Sequence, residues 1–397
     1  MNVEASRGSG PGSPAALKQA NTDRLIDAVR EGGAVSQAGL ARSTGLAPST
    51  VSNLVRELVD AGVLEVGVAE RSDGSGSGTR RVVRLAAMPG NVAAVDLGRF
   101  HLAVAIADIT GRVLAERRQT TPGGWSLETS LGQGRALIDE LLLEAGVDHA
   151  DVLRGVVALP SPIDRCTGRA GSASILPAWV GVDPDEVCEQ AFGFPTSVQN
   201  DSNLGALGEA TWGAAHGVDD MVYVWVSEGV GCGLVVGGRP HAGVGGVAGE
   251  LGHTLQRSDY GDLCRCGSRG CLETLVSTRA IVRLLEPRTG PLSGFGEVVA
   301  RAEGGDHLCR RVLSETGRHI GVAVANVINL LDPQRIVVGG EIALAGDLVL
   351  DPLRDAVHHY AIPSAAETVE IVPTALGERA ELLGAVAAAI RTVAYTG

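Results

Sequence analysis

The sequence predicts an α/β protein in two parts, a small helix-rich module at the front and a larger two-lobed body behind it. Three observations carry this. Residues 22–85 read as helix, helix, helix, strand, strand. From Asn91 the composition changes to alternating small apolar residues, the period of strands with a buried face. The strand-turn-strand pattern that opens the body near Val92 returns near Val222, so one β-motif is used twice.

Residues 1–20 are rich in Gly, Ser, Pro and Ala, and a disordered tail is expected there. Beyond Thr22, Leu25, Ile26 and Val29 mark one apolar helix face, which Gly32-Gly33 ends. A second helix, over 36–44, carries Leu40 and stops at Gly45. In a third, Val51, Leu54, Val55 and Leu58 recur at helical spacing behind Pro48, a residue suited to a first turn. That leaves Ser49, Thr50, Ser52, Asn53 and Arg56 on the outer face, where small polar groups and a guanidinium can meet phosphates and base edges. Two short strands over 63–68 and 80–85 follow, joined by a Ser/Gly-rich tip, with Arg80 and Arg81 on the second. This is the layout of a winged helix-turn-helix, expected over 21–87 with operator DNA as its partner. A plain three-helix packing module would need neither a polar third-helix face nor arginines on a wing.

The charge balance fits that division. The chain carries −13 overall, yet residues 1–88 hold ten Lys/Arg against nine Asp/Glu. A near-neutral front can still present a basic face, whereas a strongly acidic body cannot easily lie against DNA. No apolar run reaches a membrane span, and the N-terminus lacks a signal-peptide pattern. Of seven cysteines, three share one loop and four are scattered, as suits a reducing compartment. A cytoplasmic protein without membrane contact is expected, nucleoid-associated when on DNA.

In the body, strands are expected over 92–96, 101–108 and 113–118, with turns at Gly98 and Gly111, and again over 222–226 and 232–236. A helix over 306–331, a strand over 335–340 and a helix over 380–393 complete it, the last returning to the first lobe. Two lobes built on one repeated β-motif and closed by helices point to an actin/hexokinase-like (ribonuclease H-like) architecture over 88–397, with its ligand cleft between the lobes. A generic α/β domain is the plainer alternative. Asn200-Asp201-Ser202-Asn203 follows a strand over 194–198 and opens a helix. A carboxylate there can act as general base on a hydroxyl, or the residues can simply cap the helix.

The stretch from Glu250 to Glu273 is the most specific in the chain. Glu250-Leu251-Gly252-His253 is followed, ten residues on, by Cys264-Arg265-Cys266-Gly267-Ser268-Arg269-Gly270-Cys271-Leu272-Glu273. One imidazole and three thiols fall in a short loop whose glycines allow tight turns. Such a Cys₃His set closes a tetrahedral shell around Zn²⁺, so a structural zinc is expected on His253, Cys264, Cys266 and Cys271. Folding the loop round a metal would bring Glu250 and Glu273 to one edge of a pocket. His253, with two ring nitrogens, can bind metal with one and a ligand hydroxyl with the other.

Glu-x-Gly-His followed by Cys-x-Cys-Gly-x-x-Gly-Cys-x-Glu resembles the signature of the ROK family of repressors and sugar kinases. The resemblance implies structural zinc on the His and Cys residues and sugar hydroxyls held by Glu250, His253 and Glu273. It also implies that Asn200 holds the sugar and that Asp201 would activate its hydroxyl in a kinase. In the regulator branch many wings carry Gly-Gly-Arg-Pro, where this chain has Gly76-Ser77-Gly78-Thr79-Arg80-Arg81.

Kinases of the family show Asp-x-Gly-x-Thr in the first hairpin and Gly-Thr-Gly in the second; this chain has Asp96-Leu97-Gly98-Arg99-Phe100 and Ser227-Glu228-Gly229. Ser161 likewise stands where the kinases have glycine. Phe100 removes a hydroxyl, and Glu228 brings a carboxylate to where phosphate oxygens would lie. Two unit charges about 4 Å apart repel by roughly 4 kcal/mol at an effective dielectric near 20. The expectation is therefore a DNA-binding regulator, as homodimer or homotetramer, whose kinase-like domain binds a sugar or sugar derivative. A sugar kinase with an appended DNA-binding module is the competing reading, and a zinc sensor a third.

Overall fold

Leu25, Ile26 and Val29 are fully buried together with Leu40, Val51, Leu54, Val55 and Leu58, so three amphipathic helix faces close on one core. The computed structural model describes residues 17–18, 21–22, 24–26, 28–29, 34–60, 62–70, 79–86, 90–121, 126–171, 177–256 and 261–393. They fall in two units, residues 1–89 with 391–397, and residues 90–390.

In the first unit α1 (Gln37–Thr44) starts at Ser36, whose hydroxyl accepts from the Gly39 N–H at 3.0 Å, and ends at Gly45 in left-handed geometry. α2 (Pro48–Asp60) turns its apolar stripe inward. β1 (Leu64–Glu70) pairs antiparallel with β2 (Thr79–Leu85), and the Val35 backbone bonds both ways with Val83, at 2.9 and 2.7 Å. Within the stretch expected to be disordered over 1–20, Leu17 and Lys18 are helical, and Lys18 Nζ lies 2.8 Å from Glu57 on α2. The rest of that tail, the wing tip at 71–78 and the Arg80 side chain lie outside the described residues.

The second unit contains two five-stranded sheets of the same plan. The first has the order β5-β4-β3-β6-β7, from β3 (Asn91–Leu97), β4 (His101–Asp108), β5 (Val113–Thr120), β6 (Val152–Leu159) and β7 (Thr196–Asn200). The second has the order β10-β9-β8-β11-β12, from β8 (Met221–Val226), β9 (Val230–Val236), β10 (Arg239–Pro240), β11 (Arg335–Gly339) and β12 (Glu370–Pro373). In each, an antiparallel meander is extended from its first strand by two parallel strands. α3 (Leu127–Ala145) and α4 (Pro184–Phe192) bury Leu141 and Phe192 against the first sheet. The long helix His307–Leu331 buries Ile320 and Val324 against Val224 and Ile336 of the second.

The strand expected over 194–198 runs instead over Thr196–Asn200. Pro195 has no N–H for the ladder, so pairing with β6 starts at Thr196, opposite Gly155. Asn200 therefore ends β7 and Asp201 opens α5 (Asp201–Trp212). The final helix, Ala380–Val393, crosses α5 at glycines: a Cβ on Gly208 would lie 2.4 Å from Ala380 O, and one on Gly384 1.7 Å from Leu204 O. Backbones approach this closely only where both helices lack side chains. Tyr223 Oη on β8 donates to Glu381 in that helix at 3.1 Å, while the turn before it ties Arg379 to Glu116 on β5 at 2.6 Å. Among the described residues, no helix is long and apolar enough to cross a membrane.

Candidate functional site

The turns at the ends of the two meanders, the β7–α5 junction and the metal-loop region enclose a cavity of roughly 490 Å³. Gly231 sets how close they come. A Cβ there would lie 1.9 Å from Ser202 Oγ, so only glycine lets β9 press against the start of α5.

Asn200 and Asp201 both line the cavity, Asn200 as the N-cap of α5 and Asp201 as its first residue. Asn200 Oδ1 accepts from the Asn203 N–H at 3.0 Å, and its Nδ2 donates to Ser161 O at 3.3 Å and to Asp201 Oδ1 at 3.1 Å. Asp201 Oδ1 accepts from the Ser202 N–H at 2.6 Å. The junction thus caps the helix and lines the cavity at once. Burial first, and then the charges of Asp96 and Glu250, push the Asp201 carboxyl up to about 7. Asp96 itself is buried and is held by His101 Nε2 at 2.7 Å and Arg118 Nη1 at 3.5 Å.

Glu250 and His253 face the same cavity, with Oε2 of the one 3.7 Å from Nε2 of the other. Burial raises the Glu250 carboxyl above its ordinary range, against the pull of His253 and Arg265. Glu228 lines the cavity at the second hairpin, its Oε2 buried without a partner. Burial raises this carboxyl too, while Arg99 and Arg279 draw it back. Phe100 stands at the first hairpin with the Arg99 guanidinium 5.2 Å from its ring centre. The first hairpin presents no hydroxyl, and at the second the cavity-lining Ser227 stands beside the Glu228 carboxyl, a poor cradle for phosphate oxygens.

Glu273 departs from expectation. It does not line the cavity; Arg265 does. Arg265 Nη2 donates to Glu273 Oε2 at 2.6 Å, and the Val230 N–H donates to the same oxygen at 3.2 Å. The Glu273 side chain is only 8% exposed. A buried carboxylate needs such partners, and here it finds them within the protein.

His253, Cys264, Cys266 and Cys271 form one cluster, every ligand atom within 4.8 Å of every other. His253 Nδ1 is 3.6 Å from Cys264 Sγ, and Cys266 Sγ is 3.7 Å from Cys271 Sγ. The latter is far beyond the roughly 2.05 Å of a disulfide. A metal about 2.3 Å from each thiolate has tetrahedral edges of about 3.8 Å, close to the 3.7 Å between Cys266 Sγ and Cys271 Sγ. Gly267 and Gly270, at φ 91° and 73°, make the turns that fold the cysteines inward. With Nδ1 on the cluster side, Nε2 of His253 is left for the cavity, so the cluster can hold a metal ion and orient a cavity group at once.

On the first unit, Ser49, Ser52, Asn53 and Arg56 are exposed on α2 and Thr50 is half-buried. Arg56 Nη2 donates to Asn53 Oδ1 at 2.9 Å. Arg81 is exposed on β2. Sequence reasoning left Arg265 and Glu381 out of the site. Arg265 could have been suspected because a residue between two metal-ligating cysteines has a pinned backbone; Glu381 stands out only as the one acid in an otherwise apolar run from Ala380 to Ile390.

Residues 92–392 match the ROK family model, and residues 21–65 match a winged helix-turn-helix DNA-binding model. The chain is 28% identical to the xylose repressor of Caldicellulosiruptor bescii, over 96% of this chain and 97% of that protein. It is similar to the crystal structure of a ROK family transcriptional regulator described as a homologue of the Escherichia coli MLC protein, at 26% identity and a TM-score of 0.79, covering 96% of this chain and 97% of that one. It is also similar to a ROK family glucokinase from Streptomyces griseus solved with glucose and AMPPNP, at 30% identity and a TM-score of 0.65, over 76% of this chain and 99% of that one. The match to the family model extends over most of the sequence, from the first strand of the body into its last helix, and on it the chain belongs to the ROK family.

Proposed function

We propose that this protein is a sugar-responsive transcriptional repressor whose kinase-like body binds its effector and no longer transfers phosphate. Residues 21–87 form the DNA-binding domain, meeting the operator through Ser49, Thr50, Ser52, Asn53 and Arg56 of α2 and through Arg80 and Arg81 of the wing. Residues 88–397 form the effector domain, in which Asn200, Asp201, Glu250 and His253 offer donors and acceptors to a sugar or sugar derivative, with Glu273 in support. His253, Cys264, Cys266 and Cys271 hold a structural zinc, which when bound fixes the imidazole and braces the loop. The protein works as a homodimer or homotetramer, and a sugar that prefers one cleft geometry shifts the operator equilibrium by that preference.

The observation that carries this reading is Glu228, a buried, unpartnered carboxylate oxygen at the hairpin where kinases of the family cradle phosphate, with Phe100 in place of a hydroxyl at the other. The name of the xylose repressor, similar over nearly the whole chain, supports the repressor side. The kinase reading draws on one feature, Asp201, whose carboxyl at about 7 lies in the range of a general base. A coupled ADP-release assay with glucose, mannose and N-acetylglucosamine separates the two. The regulator reading predicts no turnover above background; robust turnover abolished by Asp201→Asn would reverse it.

A further inference from the structure

Resting on the reading that the cavity takes a sugar, we infer that the effector is an uncharged sugar of two linked rings, the first held at Asn200, Asp201, Glu250 and His253 and the second seated beside Trp225. The residues that hold the first ring come from the β7–α5 junction and from the turn that leads into the metal cluster. Much of the remaining lining belongs to the second sheet, where its parallel strands end. Trp225 stands near the end of β8, and Gly340 and Glu341 lie just past the end of β11. Ligands of α/β sheets bind beyond the carboxyl ends of the strands, so this lining is placed for contact. A cavity of roughly 490 Å³ is in the size range that takes a drug-sized molecule. One ring held at the first sheet leaves the strand ends of the second without a ligand.

Trp225 suits a sugar ring. Its ladder neighbours are Gly231 on β9 and Gly339 on β11, so no side chain flanks the indole across the sheet on either side. The residue is half-buried, packed against the core around Ala206 and Tyr223 while it lines the cavity. An indole gives the C–H face of a ring an apolar platform, and its N–H is a donor for a ring or hydroxyl oxygen. The groups nearby are acceptors. Glu341, held by the Thr278 hydroxyl at 2.7 Å, and Glu228 both line this part of the cavity. Seven carboxyl groups line the whole cavity against three guanidinium groups, a balance that repels a phosphate and accepts hydrogen bonds from hydroxyls. What fits beside the first ring is therefore a second uncharged, hydroxyl-rich ring.

The test uses the full-length, metal-loaded protein, titrated calorimetrically with D-xylose and D-glucose and with the two-ring sugars xylobiose, cellobiose, maltose, gentiobiose and trehalose. At least one two-ring sugar should bind about tenfold or more tightly than its own monosaccharide, the size of a stacked ring with a hydrogen bond to a charged group. Trp225→Ala should remove most of that gain and leave the monosaccharide within about twofold. Trp225→Phe, which keeps an aromatic face, should retain most of it. The two-ring sugar should also shift the tryptophan emission of the wild type, and most of that shift should be missing from Trp225→Phe, a loss that a purely structural role does not produce. Metal content and melting temperature establish that each variant is folded; if Trp225→Ala is not, the wild-type comparison and the emission of Trp225→Phe decide. A monosaccharide that binds as tightly as every two-ring sugar, a two-ring gain that survives in folded Trp225→Ala, or an emission shift undiminished in Trp225→Phe overturns the inference while leaving the sugar reading intact. A wild type that binds no sugar of either size brings down both.

Discussion

Replacing Asp201 by Asn should stabilise the body, and by more as the pH rises. In the unfolded chain this carboxyl ionises near 3.8, whereas burial and the neighbouring charges of Asp96 and Glu250 hold its proton up to about 7 in the folded protein. Between those limits the folded state binds more protons than the unfolded one. The stability this contributes is fully present below about pH 4 and is lost as the pH climbs through about 7. A gap of about three pH units, at roughly 1.4 kcal/mol each, puts the ceiling on the loss near 4 kcal/mol. About 1.4 kcal/mol of it accrues between pH 6 and pH 8. The amide keeps an oxygen for the Ser202 N–H, now 2.6 Å from Asp201 Oδ1, so the helix cap survives. Urea unfolding of the wild type and of Asp201→Asn at pH 6 and pH 8 measures the difference. Asp201→Asn should be the more stable at both, with the gap widening by about 1 kcal/mol or more. A variant no more stable than the wild type at pH 8, or a gap that does not widen, refutes the reasoning.

Cys271 is buried within the Cys/His cluster, and Cys271→Ser should drop the metal content from about one ion per chain to well below half and lower the melting temperature markedly, since structural zinc contributes on the order of 10 kcal/mol to the fold that binds it; atomic absorption showing one retained ion would count against that assignment. Glu228→Ser should tighten the binding of a non-hydrolysable ATP analogue by up to about three orders of magnitude, the equivalent of roughly 4 kcal/mol of relieved repulsion, without restoring turnover because Phe100 remains. Equal nucleotide affinity before and after would show that Glu228 is not the obstacle. Arg56 is exposed on α2, where it donates to Asn53 Oδ1 at 2.9 Å, so Arg56→Ala should cost about 1–3 kcal/mol in operator binding at fixed salt and leave the melting temperature within about a degree. Unchanged operator affinity would move the contact surface elsewhere.

The parts of this protein most legible in its sequence are those set by local spacing. The stripe Val51, Leu54, Val55, Leu58 gives α2 and its polar face directly, and the Cys-x-Cys-Gly-x-x-Gly-Cys run needs only its own turns to gather three thiols. The repeated meander is legible for the same reason. What stayed hidden depends on contacts between distant segments. Glu273 reads as a cavity carboxylate until Arg265 and the Val230 N–H, brought together over Gly229, claim it. Glu381 reads as an ordinary first-turn acid. Only the close crossing at Gly208 and Gly384 shows that it is buried against the Tyr223 hydroxyl. The β7 boundary shifted by two residues because Pro195 lacks a ladder donor, a cue present in the sequence and outweighed by the apolar Phe194.

The decisive measurement is the operator dissociation constant, read by fluorescence anisotropy at one salt concentration on an operator selected from random DNA, with and without a saturating sugar that calorimetry shows to bind. A repressor controlled through the cavity should lose at least about tenfold in operator affinity, or about 1.4 kcal/mol, and the sugar should bind correspondingly more weakly to the protein–DNA complex. The same dissociation constant with the cavity filled and empty would contradict it.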